Sequence, residues 1–199
     1  MATKTEIANI SLGLIGANLV TDVDADDSDE ARAVRVQYEG AKLATLEAQE
    51  WSFAIRRFEP VENVTPPLYG WGRAFDIPPD IIRVLTVDRN NKAFLINEAG
   101  LQPEQANWDY ENGQILCNEE IIYARGITQD VDEGDFSPTF VQAFAARIAM
   151  MVALPLTQSN QIYMDMGGLY AGFIKEAKTR DGMQGRSKRI RNRSLLRVR

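Results

Sequence analysis

Hydrophobic periodicity of the helical type occurs at both ends of this chain but not in its middle, and this arrangement restricts the possible folds. In the first 50 residues, apolar side chains recur every three or four positions, within Thr3–Ile15 and again from Ala31 to Thr45. The same spacing returns after Ser137 and continues toward Gly182. We therefore expect about four helices, which pack together from opposite ends of the chain.

The first two predicted helices have local start and stop signals. Gly16 follows the first helix, and Asp27 with Glu30 forms a capping-box-like start for the second. We expect the second helix to run to about Glu50. Its predicted buried stripe consists of Ala31, Val34, Tyr38, Ala41 and Thr45.

The last two predicted helices follow the same logic. Ser137-Pro138 is an N-cap followed by proline at the first helical position, and Pro155 is expected to end or kink that helix. A fourth helix is predicted from about Ser159 to Gly182. The expected core residues are Phe140, Phe144, Ile148 and Met151 in the third helix, and Ile162, Met166, Leu169, Phe173 and Ala177 in the fourth. Gly167, Gly168 and Gly172 weaken the fourth helix, so we expect close packing against another helix there.

The middle of the chain has strand-like character, with short segments rich in β-branched and aromatic residues between Pro, Gly and Asn. Asn112-Gly113 is the strongest hairpin signal. The predicted segments lie around Ser52–Phe58, Ile81–Val87, Phe94–Asn97 and Ile115–Tyr123. The expected fold class is α+β: a mainly helical bundle with a small antiparallel β-sheet inserted between helices 2 and 3, and an extended C-terminal arm. We expect one domain over residues 1–185, with helices in 1–51 and 137–182 and the β insertion in 52–128, followed by a basic tail over 186–199.

Residues that commonly carry chemistry are scarce in this sequence. The 199 residues include no histidine, which excludes histidine-dependent triads and the commonest imidazole metal ligand. The single cysteine, Cys117, cannot form an intrachain disulfide, and its strand-like setting predicts a small buried hydrophobe. No catalytic, cofactor-binding or metal-binding residue is predicted. The densest apolar stretch, Ile148–Leu156, is far shorter than the roughly 20 residues of a membrane helix, so no membrane span is expected.

Two clusters of acidic residues invite comparison with metal sites. Asp22, Asp24 and Asp26 match the first three ligand positions of a calcium loop, but Asp27 stands where glycine is required and Ala33 where glutamate is required. The second cluster is better interpreted as a polar loop before a helix; it consists of Asp130, Asp132, Glu133 and Asp135.

Charge is distributed unevenly along the chain. The formal net charge is −6, yet the last 14 residues contain seven basic and no acidic side chains, which leaves 15 basic against 28 acidic residues in the rest. Such a division suggests that the tail has a partner of its own. Docking on a protein, binding to nucleic acid and a plain solubilising terminus all remain open, although the apolar residues among the arginines favour protein docking. The predicted partner-binding residues are Arg186, Lys188, Arg189, Ile190, Arg191, Arg193, Leu195, Leu196, Arg197 and Arg199.

A second candidate contact lies between predicted strands, where Pro66-Pro67 and Gly70-Trp71-Gly72 mark an exposed excursion. Tyr69 and Trp71 are the candidate contact residues. Two interpretations stay open: these side chains contact a neighbouring subunit, or they cover one edge of the core.

The order of these elements resembles a known family. The opening helix ending in Ile15-Gly16, the acidic loop and the long helix leading to Trp51 and Phe53 are similar to the start of the phage head-to-tail adaptors of the tail tubular protein A type. The stretch Phe75–Val84, with its Pro-Pro-Asp sequence, resembles the family's strand entry. The match continues through Ile121-Ile122-Tyr123 and Phe136–Ala143 to Pro155-Leu156-Thr157. It spans nearly the whole chain, although the ending Ser194–Arg199 departs from the tryptophan-containing ending of relatives.

This resemblance implies a structural virion protein and no enzyme. The implied assembly is a homo-oligomeric ring, a dodecamer in the best-known cases, between the portal protein and the tail nozzle or tail tube protein. DNA would pass through its lumen without sequence recognition. The implied location is the neck or tail of the virion, with host cytoplasm during assembly, and no membrane. The alternatives are a DNA-binding accessory protein that uses the basic arm and an enzyme that uses paired carboxylates.

Overall fold

The computed structural model describes residues 2–89 and 106–184, which form a mixed α/β structure. The described residues contain four α-helices, α1 (Lys4–Ile15), α2 (Asp29–Glu47), α3 (Pro138–Thr157) and α4 (Asn160–Gln184). The same ranges contain seven strands, β1 (Ile55–Phe58), β2 (Val61–Glu62), β3 (Arg73–Asp76), β4 (Ile81–Asp88), β5 (Trp108–Glu111), β6 (Gln114–Cys117) and β7 (Tyr123–Thr128). The predicted strand at Phe94–Asn97 lies outside the described residues.

The cap of α1 agrees with the sequence signals, whereas that of α2 differs. Thr3 and Glu6 form a capping box, and Gly16 ends α1 in the left-handed conformation (φ 72°). The N-cap of α2 is Ser28 and not Asp27, because the Ser28 hydroxyl accepts the Ala31 amide at 3.3 Å. The predicted capping partner, Glu30, instead accepts a hydrogen bond from Asn18 at 2.9 Å.

The helix α2 ends at Glu47, three residues before the predicted end at Glu50. The indole Nε1 of Trp51 donates to the carbonyl of Thr45 at 2.9 Å, so the chain folds back and supplies a donor to the last turn. The five predicted buried positions of α2 are all buried, namely Ala31, Val34, Tyr38, Ala41 and Thr45.

The helices α3 and α4 form a hairpin joined by two residues. Ser137 caps α3, with Pro138 at its first position. Pro155 does not end the helix, which continues to Thr157 and stops at Gln158 (φ 53°). Proline removes only its own N–H donor, and the next turn still closes because Gln158 N–H reaches the Leu154 carbonyl at 3.0 Å. The predicted stop at Gly182 is wrong, since α4 extends to Gln184.

The glycines of α4 do not serve the close packing that we expected. An added Cβ would meet nothing within 4 Å at Gly168 or at Gly172. At Gly167 it would lie 3.7 Å from the sulfur of Met150, an ordinary contact. The predicted inner stripe of α4 is half-buried and only Ala177 of it is fully buried, so α4 lies at the periphery of the bundle.

The strands form two antiparallel sheets and not the single sheet that we predicted. The three-stranded sheet has the order β1-β7-β4, and the four-stranded sheet has the order β2-β3-β6-β5. The predicted strand Ile115–Tyr123 is split between β6 and β7, one strand in each sheet, because the chain turns after Cys117. Asn118, just beyond that end, accepts the Gly72 amide at 2.8 Å. The hairpin prediction is confirmed, since Asn112 (φ 49°) and Gly113 (φ 76°) connect β5 to β6.

Two hydrophobic clusters hold the fold together. The larger lies among the helices and includes an aromatic group formed by Trp51, Phe53, Phe136, Phe140 and Phe144. The smaller lies between the sheets and consists of Phe75, Val87, Ala106, Ile115, Cys117, Ile122 and Ala124. Strand β7 joins them, because Ile127 belongs to the first cluster and Ala124 to the second.

The helix α3 packs against α1, α2 and α4 and is the centre of the bundle. Its 20 residues are long and apolar enough to cross a membrane by length and composition. We did not expect this from the sequence, because its densest apolar stretch, Ile148–Leu156, is much shorter. However, 56% of its most apolar window is buried inside the fold. Such burial is typical of a core helix.

Candidate interaction surfaces

The connection between β2 and β3 presents apolar side chains to solvent. Val64 and Leu68 are each 98% exposed, and Tyr69 is 86% exposed. Gly70 adopts a positive φ of 86°, which lets the chain reverse at the tip. We call residues 63–72 the β2–β3 loop.

The base of the β2–β3 loop is held by hydrogen bonds. The Asn63 side-chain amide donates to both carboxylate oxygens of Asp76, at 3.0 and 3.1 Å, while its oxygen accepts the Thr65 amide at 2.9 Å. Asn63 and Gln114 both donate to Asp76, and these bonds lower the pKa of that carboxyl. A fixed base with an apolar tip is the form expected of a contact loop.

The two candidate residues of this loop have different surroundings. Tyr69 extends into solvent and is available for contact. Trp71 is half-buried, packs against the smaller hydrophobic cluster and donates from Nε1 to Asp109 at 3.1 Å. The contact interpretation therefore suits Tyr69, and the core-edge interpretation suits Trp71.

The tail residues predicted to bind a partner lie outside the described residues. The last described residue is Gln184, in α4, which precedes the predicted tail by one residue in the sequence.

The acidic loop before α2 is organised by internal bonds. Asp22 accepts the Asp24 amide at 2.9 Å, and Lys4 pairs with Asp24 at 2.6 Å. Asp26 accepts the Ser28 amide at 2.8 Å, and this bond lowers the pKa of Asp26. Across residues 2–89 and 106–184, no three acidic or cysteine side chains gather as metal ligands.

The second acidic cluster includes one residue that links distant elements. The Glu133 carboxylate lies 3.4 Å from both the ammonium of Lys42 and the hydroxyl of Tyr38, and so ties α2 to the turn before α3. Burial, followed by the nearby Glu133 charge, raises the pKa of Tyr38, which stays a neutral donor. Asp130, Asp132 and Asp135 remain exposed.

An open cleft of about 550 Å³ lies where α1 and α3 end and α2 begins. Its two carboxylates have other partners: Asp29 pairs with Arg32 at 2.9 Å, and Glu30 accepts from Asn18.

In the described ranges Asp181 is the one buried carboxylate, and it accepts the amide and hydroxyl of Ser52. Cys117 is buried, and this burial raises the pKa of its thiol.

Two further surfaces were not predicted from the sequence. The first is a groove between α3 and α4, lined by Arg147, Met150 and Leu154 on one helix and by Tyr163, Gly167 and Tyr170 on the other. The second is the outer face of α2, formed by Arg32, Val36, Glu39 and Gly40. Two features of the sequence could have indicated these surfaces: Arg147 lies within the apolar run of α3, and Val36 lies on the polar face of α2.

No protein-family model matches this chain, and no curated protein sequence matches it.

Proposed function

We propose that this chain is a structural virion protein, the ring subunit of a phage head-to-tail adaptor that connects the portal to the tail and forms part of the DNA channel. It carries out no catalysis. Its homo-oligomeric ring sits between the portal protein and the tail nozzle or tail tube protein. The assembled site is the virion neck or tail, reached from the host cytoplasm.

The observation that carries this proposal is the position of the residues that resemble the family. They occur at the joints of the fold and not at random surface positions. Trp51 and Phe53 follow α2 and stack on each other with ring centroids 6.1 Å apart. Each also meets Phe140 of α3 edge-on, with centroids 5.0 Å away. Residues quoted from two distant segments thus form one aromatic joint between the N-terminal and C-terminal helices.

The strand-entry residues form a second joint. Asp80, in the Pro-Pro-Asp turn before β4, accepts hydrogen bonds from Arg56 of β1 and Thr128 of β7. The Asp80 carbonyl also accepts the Gln129 amide at 2.8 Å. This one residue therefore ties together all three strands of the β1-β7-β4 sheet, so the Pro-x-Asp sequence that resembles the adaptor pattern has a structural role in this chain.

The surface is consistent with a subunit that has several protein neighbours. The β2–β3 loop offers Leu68 and Tyr69 from a fixed base, and the groove and the α2 outer face add further half-exposed apolar area. Fixed apolar contacts surrounded by polar residues are typical of protein interfaces. The basic tail, with its apolar residues, is assigned to the portal, and the acidic body would repel the phosphates of DNA that passes through the ring.

The decisive experiment mixes the purified chain with its cognate portal ring and images the mixture by negative staining. The full chain should add a layer to the portal ring, and a chain ending at Gly185 should not. A third variant replaces Ile190, Leu195, Leu196 and Val198 by serine and keeps every basic residue. Protein docking predicts that this variant also fails to bind the portal.

Duplex DNA binding separates the alternative function. If the tail instead serves a DNA-binding accessory protein, the serine variant keeps its affinity for duplex DNA, and that affinity falls steeply with salt. A chain that binds DNA in this way and never binds the portal ring would refute the adaptor proposal.

A further inference from the structure

We infer that the groove between α3 and α4 binds the outer face of α2 from a second copy of this chain, with Arg147 of one copy paired to Glu39 of the next. This inference rests on the proposed ring, and it specifies the two surfaces that would build it.

The groove contains a cation, Arg147, that forms no ion pair within the part of the chain that the structure describes. The guanidinium of Arg147 donates from one terminal nitrogen to the Tyr170 hydroxyl at 3.0 Å and lies 5.2 Å from the centroid of that ring. Its Nε is buried and has no hydrogen-bond partner, and no carboxylate within the described ranges forms an ion pair with it. The side chain of Arg147 is only half-buried, so a carboxylate that reaches its solvent-facing part would accept charge-assisted hydrogen bonds from the guanidinium.

The walls of the groove are apolar and open. Arg147, Met150 and Leu154 share one face of α3 because they are three and four residues apart, and Tyr163, Gly167 and Tyr170 share the facing side of α4. Leu154 is 51% exposed and Tyr163 is 39% exposed. Gly167 brings no side chain of its own, and the sulfur of Met150 lies 3.7 Å from the position that a Cβ would take there.

The outer face of α2 has the complementary features. Val36 is 78% exposed although it belongs to a well-formed helix. Glu39, one turn further along the same face, is exposed and forms no ion pair within residues 2–89 and 106–184. Gly40 has nothing within 4 Å of an added Cβ, so another backbone can approach closely there.

The spacing of the two surfaces agrees. Val36 and Glu39 are three residues apart, as are Arg147 and Met150, and each pair spans about 4.5 Å along its helix axis. Antiparallel docking of α2 on the groove therefore places Val36 over Met150 and Gly167 while Glu39 reaches Arg147. This is the helix-in-groove mode of recognition.

The two surfaces lie on different sides of the bundle. The helix α3 packs against both α2 and α4 and separates one from the other. An interface between two different surfaces of the same chain is heterologous, and repeating it produces a ring when the rotation closes. The groove can accept an apolar side chain and a carboxylate, and the outer face of α2 on this same chain presents both, as Val36 and Glu39. A second copy of the chain is therefore the partner that these features favour.

The test uses two charge reversals, Glu39→Arg and Arg147→Glu, and measures self-association by sedimentation velocity over a concentration series. The native chain is expected to self-associate. Each variant alone places like charges opposite each other, so its association constant should fall at least tenfold. An equimolar mixture restores an opposite-charge pair at every interface, so it should associate like the native chain. The matched control, Glu111→Arg, changes an exposed carboxylate on β5 that forms no ion pair among the described residues, and it should have no effect.

Arg147 is half-buried, so Arg147→Glu could lose association because the variant does not fold. Two substitutions of exposed apolar side chains control for this. Val36→Asp and Leu154→Asp change side chains that are 78% and 51% exposed in the isolated chain, so both should weaken association while lowering the thermal unfolding midpoint by no more than about 4 °C. The inference is overturned if the native chain stays monomeric at millimolar concentration, or if the mixture of charge variants does not recover.

This result and the proposed function can fail separately. Rings that form on the portal with either charge variant would refute these surfaces and leave the adaptor proposal intact. Association through these surfaces without any binding to the portal would support the surfaces and count against the adaptor.

Discussion

Replacing Gly126 by alanine provides the most direct test of the packing described above. Gly126 is buried in β7, the central strand of the three-stranded sheet, and pairs with Arg56 on one side and Val84 on the other. A Cβ at this position would lie 2.7 Å from Ile81 Cγ2, 2.8 Å from the Arg83 carbonyl oxygen and 3.3 Å from Phe58. Two of these separations are closer than atoms tolerate, and one of the two atoms belongs to the backbone.

The backbone contact determines the magnitude. A side chain can rotate away, but the Arg83 carbonyl belongs to β4 and can shift only if the strand moves. Forcing an extra carbon into a packed site costs about 1–3 kcal/mol. For a chain of this length each kcal/mol corresponds to about 2–4 °C in the unfolding midpoint. Gly126→Ala should therefore lower that midpoint by about 2–12 °C.

Gly172→Ala is the matched control. Gly172 lies in the exposed part of α4, with nothing within 4 Å of an added Cβ. Alanine favours a helix by about 0.5–1 kcal/mol over glycine, so this variant should unfold at a temperature up to about 4 °C higher. Calorimetry or circular dichroism on both variants gives the comparison. An unchanged or raised midpoint for Gly126→Ala would refute the packing argument.

Three further expectations can be checked on the isolated chain. Asp181→Ala removes the buried carboxylate that accepts the amide and hydroxyl of Ser52 and should lower the free energy of unfolding by about 1–3 kcal/mol in urea titrations, whereas the exposed Asp165→Ala should change it by less than about 0.5 kcal/mol. Trp71→Ala removes half-buried apolar area and should lower the free energy of unfolding by about 2 kcal/mol, while Tyr69→Ser should lower it by less than about 0.5 kcal/mol. Equal decreases would contradict the different surroundings of these residues. Burial raises the pKa of Asp80, but hydrogen bonds from Thr128 and Arg56 outweigh it and hold that pKa below 3.8, so their stabilisation is complete above pH 3.8 and is lost as the pH falls through the lower folded value. Between pH 6 and pH 3, the Asp80→Asn variant should therefore lose less free energy of unfolding than the native chain, as measured by urea titration at each pH. An equal loss in the two proteins would exclude this linkage.

Features with a local physical cause were predictable from the sequence. Asn112-Gly113 specifies a hairpin because both residues adopt positive φ, and Ser137-Pro138 specifies a helix start because the hydroxyl accepts a free amide. The buried stripe of α2 follows from spacing alone. These predictions depend on residues that are neighbours in the chain.

Features that depend on distant pairing were not predictable in the same way. Ile55 of β1 pairs with Ile127 of β7 across most of the strand region, and no local pattern specifies that pairing or the division into two sheets. The role of Glu30 was assigned wrongly because Asn18, in the preceding loop, competes for its carboxylate. The absence of an ion pair at Arg147 among the described residues was likewise not predictable, since it depends on which side chains of α4 lie opposite this arginine.

The central position of α3 has a consequence for the synthesis of this chain. The helices α1 and α2 bury their apolar faces against α3, yet roughly 110 residues separate the end of α2 from the end of α3, which takes roughly 5–20 s to translate. During that interval the first two helices are outside the ribosome without their main packing partner. The nascent chain must therefore keep two apolar stripes from aggregating until its last third emerges, and chaperone binding should concentrate there.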